Sequence, residues 1–192
     1  MGKGQSKVEI LKGYISEIDS HSFPEKPLCI RVDEKNTINA EAAHHYEKDE
    51  AGNIIEHYYI INKGINNKDD NNNSLFGIAI HEVRHRAQLE VLDQKDRFKK
   101  ENLNLLDNID YKPLKELKEK NDKDISEQMI DIIEKNEIKK EQKLSPNDYD
   151  AVVVATISRL LNRNKIPSSK ITKILIKKTP QEIRDALSNL SN

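Results

Sequence analysis

Three residues on one predicted helix define the chemistry available to this chain. His81 and His85 stand four apart with Glu82 beside the first, in the order His81-Glu82-Val83-Arg84-His85. On a helix they lie one turn apart, so both imidazoles leave the same face. Two neutral ring nitrogens at that spacing can hold a zinc ion at about 2.0–2.1 Å, with the intervening Glu as a general base. With 6 His and 18 Glu in 192 residues, the bare pattern arises by chance about 0.02 times per chain.

A catalytic zinc also needs a third protein ligand and an open position for water. The other histidines are not at ligand spacing on a helix. His44 and His45 are adjacent in a predicted strand and point to opposite faces; either of them, or His57, can line a cleft. The acidic candidates are Asp148 and Asp150, at the start of a later helix. A helical wheel sets Asp150 among Val153, Val154, Ile157 and Leu161, on the buried side. Asp148 falls with Ala151 and Ala155, whose small side chains allow a close approach to another backbone. Arg84 and Arg86, flanking the second histidine, pair with acids such as Asp150 or Glu90, form a solvated face, or bind a substrate carboxylate.

The His81–His85 motif and the segment Ser145-Pro146-Asn147-Asp148-Tyr149-Asp150-Ala151 together resemble the zincin metallopeptidases, in particular small gluzincin-like ones. In many of those the second motif is similar to Asn-Pro-x-Glu-x-Asp-Ala. The resemblance covers roughly residues 28–92 and 145–163. It implies that His81, His85 and Asp148 ligate zinc and that Asp150 orients a ligand imidazole from a second layer. It also implies peptide-bond hydrolysis on a peptide or protein substrate, with Glu82 as base. Asp148 departs from the pattern by one methylene, so its helix must approach more closely. Tyr149, Tyr58 or Tyr59 can supply oxyanion stabilisation. Ile54–Ile61, read as an edge strand, can bind an extended peptide.

These residues need a scaffold, and the pattern predicts an α+β fold in one domain over residues 1–192. An amphipathic helix over 6–19 carries Val8, Leu11, Ile15 and Ile18 on one stripe. A short apolar run at 28–32, alternating stretches within 36–47 and a Tyr- and Ile-rich run at 54–61 predict a three-stranded antiparallel sheet. Gly52 and Asn53 supply positive φ for a hairpin turn. The polar loop 62–73 lacks the Gly and Glu offsets of a calcium loop. Ser74 is the expected N-cap of the motif helix. Phe76, Ile80, Val83, Ala87 and Val91 form one apolar flank and Leu75, Ile78 and Leu89 another, so that helix is expected between layers. Residues 93–144 read as a charged helical insertion. Ser145 caps a helix running to about Asn162, and 168–177 and 179–190 form closing helices, the last with a capping box at Thr179.

Composition excludes some functions. The chain is 34% charged with a net charge of -1, which gives no electrostatic footprint for nucleic acid or an anionic membrane. Cys29 is the lone cysteine and reads as a buried thiol. No apolar run approaches a membrane span. Gly2 fits only the loose acylation pattern, and a cytoplasmic location is expected. Two rival functions are compatible with the same residues. One is a regulatory or binding module that keeps the metal without cleaving. The other is a helical interaction protein docking through 93–144.

Overall fold

In the computed structural model, residues 6–35, 37–38, 40–65, 72–92, 145–163 and 165–189 are described. The expected insertion over 93–144 lies outside the described residues. The elements in order are α1 (Lys7–Ser22), β1 (Cys29–Asp33), β2 (Ala42–Lys48), β3 (Ile54–Asn62), α2 (Asn72–Ala87), a π-helical turn (Gln88–Leu92), α3 (Pro146–Arg163), α4 (Ser168–Leu175) and α5 (Pro180–Ser188). The chain is α+β, as the sequence indicates.

Local chemistry sets the ends of these elements. Ser6 Oγ accepts the Glu9 N–H at 3.3 Å to start α1, satisfying one of the donors a helix start leaves open. The β2–β3 turn closes through Asp49, whose carboxylate takes the Asn53 main-chain N–H at 2.8 Å and its side-chain amide at 3.0 Å. Gly52 there has φ +88°, a region open to glycine without steric penalty. Asn53, expected to share that role, does not take positive φ. The Thr179/Glu182 capping box of α5 forms as expected.

The sheet order is β1-β3-β2, with β1 parallel and β2 antiparallel to β3. This corrects two expectations. The sheet is mixed, and the Ile54–Asn62 strand is central, so β1 and β2 are the edges. Period-2 alternation defines faces within a strand but carries no information on strand order. The connection after β1 carries the chain past the place β3 later fills. Asp33 holds that connection, accepting from Thr37 Oγ1 at 3.0 Å and from the Ile38 N–H at 2.8 Å.

α2 lies between layers, as its two apolar flanks require. It packs on α1 and β2 on one side and on α3 on the other. The core joins Leu11, Ile15 and Ile18 of α1 to Tyr59 and Ile61 of β3. It continues through Phe76, Ile80 and Val83 of α2 to Val154, Ile157 and Leu161 of α3. α2 already runs through Asn72, so Ser74 sits inside its first turn and is not the N-cap. Cys29 is half-buried, not buried as expected. Among the described residues, no helix is long and apolar enough to cross a membrane.

Candidate functional site

α2 presents His81 and His85 on the face that α3 approaches. The rings meet edge to face, with centroids 4.7 Å apart. Their Nε2 atoms are 3.1 Å apart. Two ligand atoms on one tetrahedral zinc at about 2.0–2.1 Å stand roughly 3.3 Å apart, so the pair is close to a chelating bite. Asp148 Oδ1 lies 3.6 Å from His85 Nε2. That is near the same separation. α3 packs directly on α2, and its Ala151 and Ala155 are buried.

Asp148 has a second role. Its main-chain N–H donates to Ser145 Oγ at 3.1 Å, and its Oδ2 accepts from the same hydroxyl at 2.6 Å. Ser145 is thus the expected cap, and Asp148 closes the cap while facing the histidines. Its side chain is 48% exposed. Among the described residues, no group of three or more His, Cys, Asp or Glu stands in a ready ligand arrangement.

The histidines are held from behind. His85 Nδ1 meets Gln88 Oε1 at 2.8 Å, which places the proton on Nδ1 and leaves Nε2 as a donor atom for metal. Gln88 Nε2 in turn donates to Asp150 Oδ2 at 2.7 Å and to the Asn147 carbonyl at 2.9 Å. Asp150 was expected to orient an imidazole directly. It acts one step removed, through Gln88, because its other contacts belong to Arg84. Gln88 opens the π-helical turn, a local widening that recurs at functional sites. Sequence reading missed it, although its position three after His85 was a usable signal. Burial is the main influence on His81, and His85 beside it acts in the same direction. Together they push the His81 pKa down to about 4, so the His81 ring is neutral and ligand-competent at neutral pH.

Glu82 is 6% exposed. Its Oε2 accepts the His44 main-chain N–H at 2.7 Å, and its Oε1 lies 4.0 Å from His81 Nε2. That N–H is available because His44 sits on β2, the free edge, where alternate main-chain groups face away from β3. Burial pushes the Glu82 pKa up to about 8, against the lowering effect of the His44 hydrogen bond. Glu82 and His81 open onto a cleft of about 280 Å³ between the residues entering β2, the first half of α2, and α3.

The remaining sequence candidates have other roles. Arg84 is fully buried. It grips Asp150 through Nε at 2.7 Å and Nη2 at 3.0 Å. Its Nη1 donates to the carbonyls of Leu175, Ile176 and Lys178. Arg86, also buried, holds both oxygens of Asp19 and Glu90 Oε1, under the Phe23 ring. Both arginines are therefore structural pairs, with neither a solvated face nor a substrate contact. Tyr59 donates its hydroxyl to Asp19, and Tyr58 stacks on His45 beneath Arg31. Neither tyrosine reaches the cleft. The Tyr149 side chain lies outside what is described. His44 points to the α2 face, with His57 behind it. Their nitrogens lie 3.0 Å apart, and His57 Nε2 is 3.0 Å from Glu90. No protein-family model, curated protein or solved structure matches this chain.

Proposed function

We propose that this chain is a zinc-dependent hydrolase of peptide bonds with a zincin-like core. The observation that carries the reading is the convergence of the His81 and His85 Nε2 atoms to 3.1 Å, with His81 and Glu82 both lining one cleft. The donor set suits zinc: two imidazoles plus a nearby carboxylate on Asp148. When bound, zinc supplies Lewis acidity and lowers the pKa of an attacking water toward about 7.

The chain's own residues do the rest. Glu82 stands close enough to the histidine pair to take the proton from the attacking water. Its hydrogen bond to the His44 N–H fixes the carboxylate, leaving Oε1 toward the cleft. The same carboxylate would take the proton and return it to the departing amine. Gln88, seated on Asp150, keeps the His85 tautomer correct for metal binding. β2 is a free edge beside the cleft, and it offers main-chain groups to an extended peptide.

The deciding experiment pairs metal analysis with Glu82→Gln. Protein purified without chelator is expected to hold near-stoichiometric zinc and to cleave an unstructured protein such as casein. Glu82→Gln is expected to keep the zinc and lose cleavage by a factor of at least about 10². Absence of zinc from the purified protein would sink the reading.

A further inference from the structure

We propose that His57 positions the Glu82 carboxylate through His44, by holding the edge strand in place from its inner face. The proposal rests on the hydrolase reading and adds a positioning residue to that site.

The parity of β2 makes such a tie necessary. Glu41 accepts the Asn62 N–H at 2.9 Å. Glu41, Ala43 and His45 therefore turn their main-chain groups toward β3, and the residues between turn theirs away. His44, opposite Tyr59, is one of the latter. Its N–H goes to Glu82 at 2.7 Å, so its own main-chain groups do not tie it to β3. Its side chain makes the tie instead.

That tie is a chain of three side chains. His57 lies two residues before Tyr59 on β3, on the same inner face. Its ring and that of His44 are stacked 20° from parallel, with centroids 5.2 Å apart. His44 Nε2 and His57 Nδ1 are 3.0 Å apart, and His57 Nε2 is 3.0 Å from Glu90 Oε1. Glu90 is itself fixed, by Arg86 Nε at 2.7 Å and Lys26 Nζ at 3.4 Å. Arg86 is fixed in turn by both oxygens of Asp19.

The direction of the chain follows from its far end. Against the effect of burial, Arg86 lowers the Glu90 pKa, so Glu90 is a carboxylate and accepts. Burial above all lowers the pKa values of His44 and His57, so both rings are neutral. His57 then donates from Nε2 to Glu90, which leaves Nδ1 to accept the proton carried on His44 Nε2. A buried ion pair thus anchors the strand residue whose N–H holds the general base. A misplacement of about 1 Å at such a group can cost about 10²-fold in rate.

The test compares the full-length protein with His57→Phe, which keeps a ring and removes both nitrogens. In the metal-free protein, NMR-detected hydrogen exchange at the His44 amide should become about tenfold faster relative to the Ala43 and His45 amides, which face β3. In the zinc-loaded protein, kcat should fall about tenfold while KM stays within about twofold. His44→Phe removes the ring nitrogens and keeps the main-chain N–H, and it should give the same result. The double variant should lose no more than either single, because both break one chain. His57→Asn keeps an acceptor where Nδ1 stands and should retain part of the protection and of kcat. Exchange that rises equally at all three amides, single effects that add in the double, or an unchanged kcat with His44 released would overturn the proposal. If the parent itself does not cleave, the hydrolase reading fails. The exchange data then still decide the positioning: selective release at His44 keeps it, and no selective release defeats it.

Discussion

Replacing Arg84 with Leu tests the idea that the histidine face of α2 is held from behind by a buried polar knot. Arg84 is 0% exposed, as is Asp150. The substitution removes two charged hydrogen bonds to Asp150 and three to the carbonyls at the end of α4. Breaking a buried ion pair from one side typically destabilises by about 3–5 kcal/mol, because the remaining charge stays buried. Each unsatisfied carbonyl adds about 1–3 kcal/mol in isolation. These contributions overlap, since water entering for one group serves the others, so about 4–5 kcal/mol in total is expected. For a chain of this size, each kcal/mol lowers Tm by about 2–4 °C, giving a fall of roughly 8–20 °C. Urea and thermal denaturation of the metal-free protein measure it. A second variant, Arg84→Leu with Asp150→Leu, removes both charges and should recover about 2 kcal/mol or more relative to the sum of the singles. A single variant melting within about 3 °C of the parent, or a double variant no better than additive, would refute the reasoning.

Other outcomes follow from the same geometry. Gln88→Leu should weaken zinc binding about 10–100-fold in a competition assay with a chelator; unchanged affinity would remove Gln88 from the support of His85. Asp148→Ala should reduce zinc occupancy, whereas Ser145→Ala, which removes only the cap, should cost about 1 kcal/mol of stability and keep zinc. Equal zinc content in the two variants would displace Asp148 from the ligand set. In the metal-free protein the pH dependence has two arms. The Glu82 pKa, raised to about 8 by burial, means the folded state holds a proton that the unfolded chain has released. That stability is present below about pH 4.5 and is lost as pH rises toward 8. Glu82→Gln should therefore be the more stable form at pH 8, by at most about 4–5 kcal/mol, with the difference vanishing near pH 4.5. The His44 pKa, lowered to about 3 by burial and the neighbouring His57, acts at the other end. There the unfolded chain takes up a proton that the folded state refuses, so stability falls by about 1.4 kcal/mol per pH unit as pH drops from about 6.5. Because the two arms oppose each other between about pH 4.5 and 6.5, each is read separately: equal stability of Glu82→Gln and parent at pH 8 would contradict the first, and a Glu82→Gln protein whose stability stays flat from pH 4 to 6.5 would contradict the second.

Much of this site was legible in the sequence because helices are local. His81 and His85 share a face whatever surrounds them, and the Ser145–Asp148 cap needs only four residues in a row. Asp150 could be put on the buried side because its wheel neighbours are Val153, Val154 and Ile157. Strand order was not legible. The mixed sheet arises from where the chain passes after β1, a long-range choice that alternation does not encode. The tyrosines misled for a related reason. Tyr58 and Tyr59 have the right chemistry for an oxyanion, and only their faces, set by strand pairing, turn them to other partners.

By itself the sequence determined the helix that carries His81, Glu82 and His85 on adjoining positions, the capped acidic helix after it and the α+β class. All of these follow from spacing along one element or from short-range chemistry. The tertiary structure decided what those elements do to one another. It brought Asp148 to 3.6 Å from His85 and set Gln88 between His85 and Asp150. It gave the His44 N–H to Glu82 from an edge strand and laid Arg159 across Gly77. Each of these joins residues from different elements, and that proximity is fixed by how buried faces pack, which no periodicity in the chain records.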